Sequence, residues 1–373
     1  MIRHSTNTRS PTELPTVLPT VAPTPPPTLR PLLDCRHEDL LAWLAEQGQP
    51  AFRAKQIWTW IYQRRATGFD AMSDLPQGLR DRLAATFRIF VADEVAAQSS
   101  HDGTVKLLMR LAGGGEVECV LLRDAMRRSI CVSSQVGCAM GCVFCASGLD
   151  GVERNLTRGE ILEQMLRLQA KLPVDERLSH IVMMGMGEPL ANLNNVLAAL
   201  DVAKDPKGLG ISPRRITIST VGLPPAIDRL ADSGVPYNLA VSLHAPTDEL
   251  RTELVPVNKS IGIDAVLDAA DRYFATNRRR LTFEYVLLGG INDSEDCAKR
   301  LVTILRHRTV LLNVIPYNPV EGLPYQEPTQ ASTARFREVL EHGGVTVKFR
   351  QRKGGEIDAA CGQLRRNRAG IRR

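Results

Sequence analysis

Ser129-Ile-Cys131-Val-Ser-Ser-Gln-Val-Gly-Cys138-Ala-Met-Gly-Cys142-Val-Phe-Cys145 opens as a short apolar strand and runs into a loop with three thiols inside eight residues. Three thiolates within reach of one point suit a soft metal or an iron–sulfur cluster. A structural zinc site takes a fourth ligand, ordinarily from a second close pair. No second close pair exists, because Cys35, Cys119, Cys131, Cys297 and Cys361 are scattered. Three ligands on a four-iron cluster leave one iron open to chelate a small molecule. The competing reading is three structural thiols or a zinc knuckle.

Downstream, the pattern becomes strand and helix in repetition. Strands are predicted at Ile130–Ser133, Ile181–Met184, Arg215–Ser219, Asn238–Ser242, Thr282–Leu287, Leu311–Ile315 and Val345–Phe349, with helical periodicity between most of them, as in Ile161–Leu172 and Ala298–Leu305. Alternating βα units imply a parallel sheet, open or wound into a complete or partial barrel. Both kinds bind ligands at the C-terminal strand ends. Standing there are Gly185-Met186-Gly187-Glu188-Pro189, Ser219-Thr220, Ser242-Leu243-His244, Gly289-Gly290 and Pro316-Tyr317-Asn318. Small, polar and backbone-exposing residues recur at one end of the domain, as an active-site rim requires.

Upstream, Val105 to Leu111 and Val117 to Leu122 alternate around Gly113-Gly114-Gly115, a hairpin signature. Residues 31–100 read as a small helical domain, with Ala54, Ile57, Trp58 and Ile61 at helical spacing. The Trp58/Trp60/Tyr62 cluster could stack on bases, but aromatic residues at that spacing ordinarily pack inward. Residues 1–30 are a Pro/Thr-rich leader expected to be disordered. The domain reading is therefore 1–30, 31–100, a core at 101–350 and a basic segment at 351–373.

The 373 residues are 43% hydrophobic and carry a formal charge of +6, which suits a globular protein rather than a disordered chain. No apolar run approaches the roughly 20 residues of a membrane span, and the N-terminus lacks the apolar core of a secretory signal. A cytoplasmic protein with reduced cysteines is expected. The charge is local: Lys348 to Arg373 hold nine basic residues against Glu356 and Asp358, so the rest of the chain is close to neutral. That segment is either a solvated tail or a phosphate-binding arm.

The Cys138/Cys142/Cys145 spacing resembles the radical S-adenosylmethionine (SAM) superfamily, whose members bind a [4Fe-4S] cluster through C-x3-C-x2-C after the first barrel strand. Phe144 matches the aromatic residue common before the last cysteine. The neighbouring motifs narrow the resemblance to the RlmN/Cfr family of RNA adenine methyltransferases. They are Cys131-Val-Ser-Ser-Gln-Val-Gly-Cys138, Arg154-Asn-Leu-Thr157, Val182-Met-Met-Gly-Met-Gly-Glu-Pro189, Arg214-Arg-Ile-Thr-Ile-Ser-Thr220, Val241-Ser-Leu-His-Ala245, Pro316-Tyr-Asn-Pro319 and Ile357-Asp-Ala-Ala-Cys-Gly-Gln-Leu364. The match runs from about residue 33 to residue 366.

The resemblance implies an α/β fold: a partial (βα)6 radical-SAM barrel with a small N-terminal helical domain and a β-hairpin connector. It implies that Cys138, Cys142 and Cys145 hold the cluster. Gly187, Glu188, Ser219, Ser242, Leu243, His244 and Asn318 would contact SAM, of which two are used per methylation. Cys361 would take a methyl group from one SAM. A deoxyadenosyl radical from a second SAM would then abstract hydrogen from that methyl group, and the methylene radical would add to adenine. Cys131 would attack Cys361 to form a disulfide and release the base, with Glu118 as proton acceptor. The cations Lys353 and Arg365 beside Cys361 would favour its thiolate.

The implied substrate is adenine C2 in 23S rRNA, with tRNA as a further substrate, served by an electron donor such as flavodoxin or ferredoxin. A monomer with no membrane partner is expected. Adenine C8 chemistry is the alternative, and a non-catalytic zinc-containing RNA-binding protein a more distant one. Lys348–Lys353 and Arg365–Arg373 would bring the RNA backbone to Cys361, with Arg278-Arg279-Arg280 and the basic residues of the N-terminal domain as secondary contacts. Cys119, beside Glu118, departs from the family pattern and adds a thiol off the reaction path.

Overall fold

The computed structural model describes residues 29–279, 281–350 and 354–364. The leader up to residue 28, Arg280, Lys353 and Arg365–Arg373 lie outside the described residues.

The main sheet among these residues has ten strands. They are β1 (Asp93–Ser99), β2 (Val105–Arg110), β3 (Glu116–Asp124), β4 (Arg127–Cys131), β5 (His180–Met183), β6 (Ile216–Thr220), β7 (Asn238–Ser242), β8 (Leu281–Leu287), β9 (Val310–Pro316) and β10 (Val347–Phe349). Their spatial order follows the chain from β1 to β10. Neighbours from β4 to β10 are parallel, whereas β1 to β4 pair antiparallel. The parallel part is a partial barrel, and the hairpin extends its first edge.

Parallel neighbours need a crossover, and helices supply each one. These are α4 (Arg158–Ala170), α5 (Leu193–Lys204), α6 (Pro224–Asp232), α7 (Asp248–Leu254) with α8 (Ile263–Asn277), α9 (Glu295–Leu305) and α10 (Gln330–His342). On α8, Val266, Leu267, Ala270 and Tyr273 recur at helical spacing and are buried against the sheet. Burial of each large apolar side chain contributes about 2 kcal/mol.

Residues paired across neighbouring strands share a face. One row therefore runs Cys131, Val182, Thr217, Asn238, and a second runs Ser242, Glu284, Asn313, Lys348. Ile216 and Ile218 of β6 turn the other way into the core, which leaves Thr217 and Ser219 half-buried on the lumen face.

The N-terminal helices α1 (His37–Glu46), α2 (Phe52–Trp58) and α3 (Gln77–Thr86) pack around Leu40, Leu44, Ile57, Ile61, Leu79 and Leu83. Tyr62 is buried in that core and stacks on Trp58 at 5.5 Å, while the Trp60 indole donates to Asp74 at 2.6 Å. The aromatic cluster is thus structural. Asp34 joins this unit to the barrel by accepting from the Gly159 N–H at 2.6 Å. A Cβ at Gly159 would meet Asp34 Cγ at 2.8 Å, so only glycine allows that approach. No helix among the described residues is long and apolar enough to cross a membrane.

Candidate active site

The loop after β4 carries the three close cysteines. It is anchored at both ends: Cys138 N–H donates to Gly151 at 2.9 Å, and Val143 N–H to Leu254 at 3.1 Å. Burial pushes the Cys138 thiol up to about 12 and raises Cys142 and Cys145 as well. Thiols so buried keep their protons until a metal replaces them. Among the described residues, no three His, Cys, Asp or Glu side chains converge as a single metal ion requires. A four-iron cluster spans several ångströms, so its ligands stand further apart than the ligands of one ion. This donor set of three soft sulfurs on one loop fits the cluster.

Beside the loop is the polar rim. Gly187, at φ 96°, lies so close to Gln135 that a Cβ would meet its Cβ at 2.5 Å. Glu188 is buried; its two carboxylate oxygens accept from Leu190 N–H at 3.0 Å and Val221 N–H at 2.8 Å. The carboxylate therefore braces the ends of β5 and β6, with the Thr220 hydroxyl as a further partner. Burial pushes its pKa up to about 7. Ser219 and Ser242 stand half-buried on the lumen face. His244 takes a left-handed φ of 61°, held by a hydrogen bond from Val286 N–H to its Nδ1 at 3.1 Å. Burial first, and Arg251 second, lowers its pKa to about 3, so the ring is neutral with its proton on Nε2. Phe144 meets it edge-on at 4.9 Å, which links the thiol loop to the end of β7.

The residue that binds these strand ends together was not singled out from the sequence. Arg251 of α7 is completely buried. It donates to the carbonyls of Leu243 at 3.1 Å, Val221 at 2.6 Å and Ser242 at 3.0 Å, and also to Asn258. Burial lowers its pKa to about 10, so it stays charged at neutral pH. A lone arginine on a short helix carries no sequence signal for such a role.

Cys361 returns to the same place from the far end of the chain. The Asn318 side chain donates to its carbonyl at 3.2 Å, Ala146 N–H donates to Gly362 at 2.8 Å, and the Ser147 hydroxyl donates to Leu364 at 2.6 Å. Cys361 is solvent-accessible yet ringed by protein, so burial and then the Glu284 carboxylate raise its pKa. Arg350 opposes that shift. The cations expected to favour the thiolate, Lys353 and Arg365, lie outside the described residues.

Cys131, at the end of β4, is close enough to Cys361 for a charge there to raise its own pKa, after burial as the main cause. Both thiols are free. Cys131 pairs with Val120, two residues from Glu118, so Cys131 and Glu118 share the lumen face. Cys119 falls on the opposite face, fully buried with its thiol against Met109 sulfur at 3.8 Å. Arg278 and Arg279 precede β8 and stand at the opposite end of the barrel from Cys361.

Comparison with known proteins gives this geometry its setting. Residues 132–301 match the Radical SAM superfamily, and residues 31–89 match the ribosomal RNA large subunit methyltransferase N-terminal domain. A probable dual-specificity RNA methyltransferase RlmN of Rhodopirellula baltica is 70% identical over 341 residues, covering 91% of this chain and 92% of the relative. The dual-specificity RNA methyltransferase RlmN of Nitratidesulfovibrio vulgaris is 44% identical over 345 residues, covering 90% and 94%. A crystal structure of a radical SAM methyltransferase from Sphaerobacter thermophilus superposes with a TM-score of 0.87 at 41% identity, covering 90% of this chain and 99% of that one. The chain belongs to the RlmN family of radical SAM RNA methyltransferases.

Proposed function

We propose that the chain methylates adenine C2 in 23S rRNA, and an adenine in tRNA, with Cys361 as methyl carrier, Cys131 as resolving thiol and Glu118 as proton acceptor. The observation that carries this reading is the docking of the Cys361 loop against Asn318 and Ala146, which brings Cys361 within electrostatic reach of Cys131. Bound to Cys138, Cys142 and Cys145, the cluster supplies radical chemistry, and SAM supplies the methyl group. Glu188, Ser219, Ser242, Leu243, His244 and Asn318 hold SAM at the strand ends.

Cys361 loses its proton and takes the methyl group onto sulfur. Once that carbon has given up a hydrogen atom to the radical chemistry that the bound cluster and SAM would supply, it would bond to adenine and leave RNA covalently attached to the protein, and the electron left over as the ring proton departs would return to the cluster. Glu118 accepts the ring proton that the methyl group replaces. The Cys131 thiolate then bonds to the Cys361 sulfur. The S–C bond breaks with its electron pair going to carbon, which takes a proton and becomes the product methyl group. The two sulfurs are oxidised together as the carbon is reduced.

The exposed Arg350, which acts electrostatically on Cys361, contacts the RNA backbone together with the exposed Lys348 of β10, as the helical unit at 31–100 does from its own basic residues. The electron donor is a flavodoxin or ferredoxin. Cys131→Ala should trap the covalent RNA adduct, whereas Cys361→Ala should form none because no methyl group is loaded. Denaturing gels and mass spectrometry read both. Equal adduct in the two variants would refute the assigned roles.

A further inference from the structure

Lys106 lies on β2, where it pairs with Val120 of β3, so it shares the lumen face with Glu118 and Cys131. Its ammonium is 2.9 Å from the Glu118 carboxylate, and each side chain is only 9% exposed. The same nitrogen donates to the carbonyl of Asp358 at 3.3 Å, three residues before Cys361. Two neighbouring contacts clamp the same loop to the hairpin tip: Gly354 N–H donates to Asp102 at 3.1 Å, and His101 N–H to Glu356 at 3.5 Å. One ammonium therefore touches both the proton acceptor and the segment that carries the methyl group.

We propose that Lys106 is a positioning residue that fixes the Glu118 carboxylate and the Cys361 loop against one another, and so serves release of the methylated RNA rather than loading of Cys361. The proposal rests on the roles given above to Glu118 and Cys361. Without that ammonium the Glu118 carboxylate loses the 2.9 Å contact that ties it to the Cys361 loop, so its position relative to the bound base is no longer fixed. The Cys361 loop is also held at Cys361, Gly362 and Leu364 by contacts from Asn318, Ala146 and Ser147 that do not involve Lys106. Removal of the Lys106 charge should therefore leave loading intact and stall the adduct.

The test uses Lys106→Met and Lys106→Arg in the full chain with its cluster, beside Glu118→Gln and Cys131→Ala. Methylation of the Cys361 peptide after incubation with SAM is read by mass spectrometry, and protein–RNA adduct by denaturing gel. Lys106→Met should load methyl at the wild-type level and accumulate adduct towards the Cys131→Ala amount, a gain of about tenfold or more over wild type. Lys106→Arg should restore most release, because a guanidinium can keep both contacts. Loss of methyl loading in Lys106→Met together with wild-type iron content would overturn the proposal, as would adduct no higher than wild type. Should Lys106→Met fail to fold, Lys106→Gln, which keeps a polar head without the charge, takes its place: adduct at least about tenfold above wild type supports the proposal, and adduct no higher than wild type overturns it. Normal release by Glu118→Gln would sink the underlying proton-acceptor reading, whereas stalling by Glu118→Gln alone would sink only the role of Lys106.

Discussion

Asn318 donates its side-chain amide to the backbone carbonyl of Cys361 at 3.2 Å, so a rim residue proposed to contact SAM also holds the thiol proposed to take its methyl group. Asn318→Ala should slow methylation of Cys361 by about tenfold, the equivalent of one hydrogen bond of roughly 1.4 kcal/mol. Timed mass spectrometry of the Cys361 peptide checks this. Unchanged loading with weakened SAM binding would assign Asn318 to the cofactor alone.

Arg251 satisfies the carbonyls of Val221, Ser242 and Leu243 from a fully buried position. Arg251→Met should destabilise the fold by about 3 kcal/mol or more, because buried carbonyls lose their donors. SAM binding should weaken in parallel. A thermal melt and a SAM titration on the same preparation measure both effects.

Anaerobically purified protein should be brown, with about four irons per chain, and Cys142→Ala should lose both properties. Ala146 next to the thiol loop bonds to Gly362, so the two loops share their order. Hydrogen exchange in the cluster-free protein should therefore rise at residues 138–148 and 359–364 together. A rise confined to the first loop would show that the Cys361 loop docks independently.

Burial pushes the Glu284 carboxyl from 4.5 up to about 7, against the opposing pull of Asn313 and Arg350. The unfolded chain ionises first as pH rises, so stability contributed by this group is present below 4.5 and lost by about 7. Glu284→Gln should therefore be the more stable protein at pH 8, by up to about 3 kcal/mol, with the gap closing by pH 4.5. Asn313 can turn its unpartnered buried Oδ1 towards the new amide. Thermal melts across that pH range check the trend, and a gap independent of pH would exclude this cause.

The seven parallel strands were legible because β-branched and leucine-rich runs alternate with helical periods, and Asn238–Ser242 was located to the residue. Strand β1 was not, since Asp93–Ser99 is exposed along its whole length and shows no apolar alternation. The three clustered thiols announced themselves by spacing, whereas Cys131 and Cys361 became a pair only through the family resemblance. Lys106 could have been found: the hairpin register sets it diagonally across from Glu118, within reach of a long side chain. Arg251 could not, because its partners are backbone carbonyls, which every residue offers.

The adjacent positions Cys119 and Cys131's partner Val120 point to opposite sides of β3. A thiol given no part in the reaction and the thiol proposed to resolve the adduct are thus turned to opposite faces of the sheet by strand parity. A slip of one residue between β3 and β4 would turn Cys119 onto the face that Cys131 occupies and turn Glu118 away from it. On the roles proposed above, backbone pairing in the hairpin would decide which thiol and which carboxylate face the Cys361 loop, as much as any side chain does.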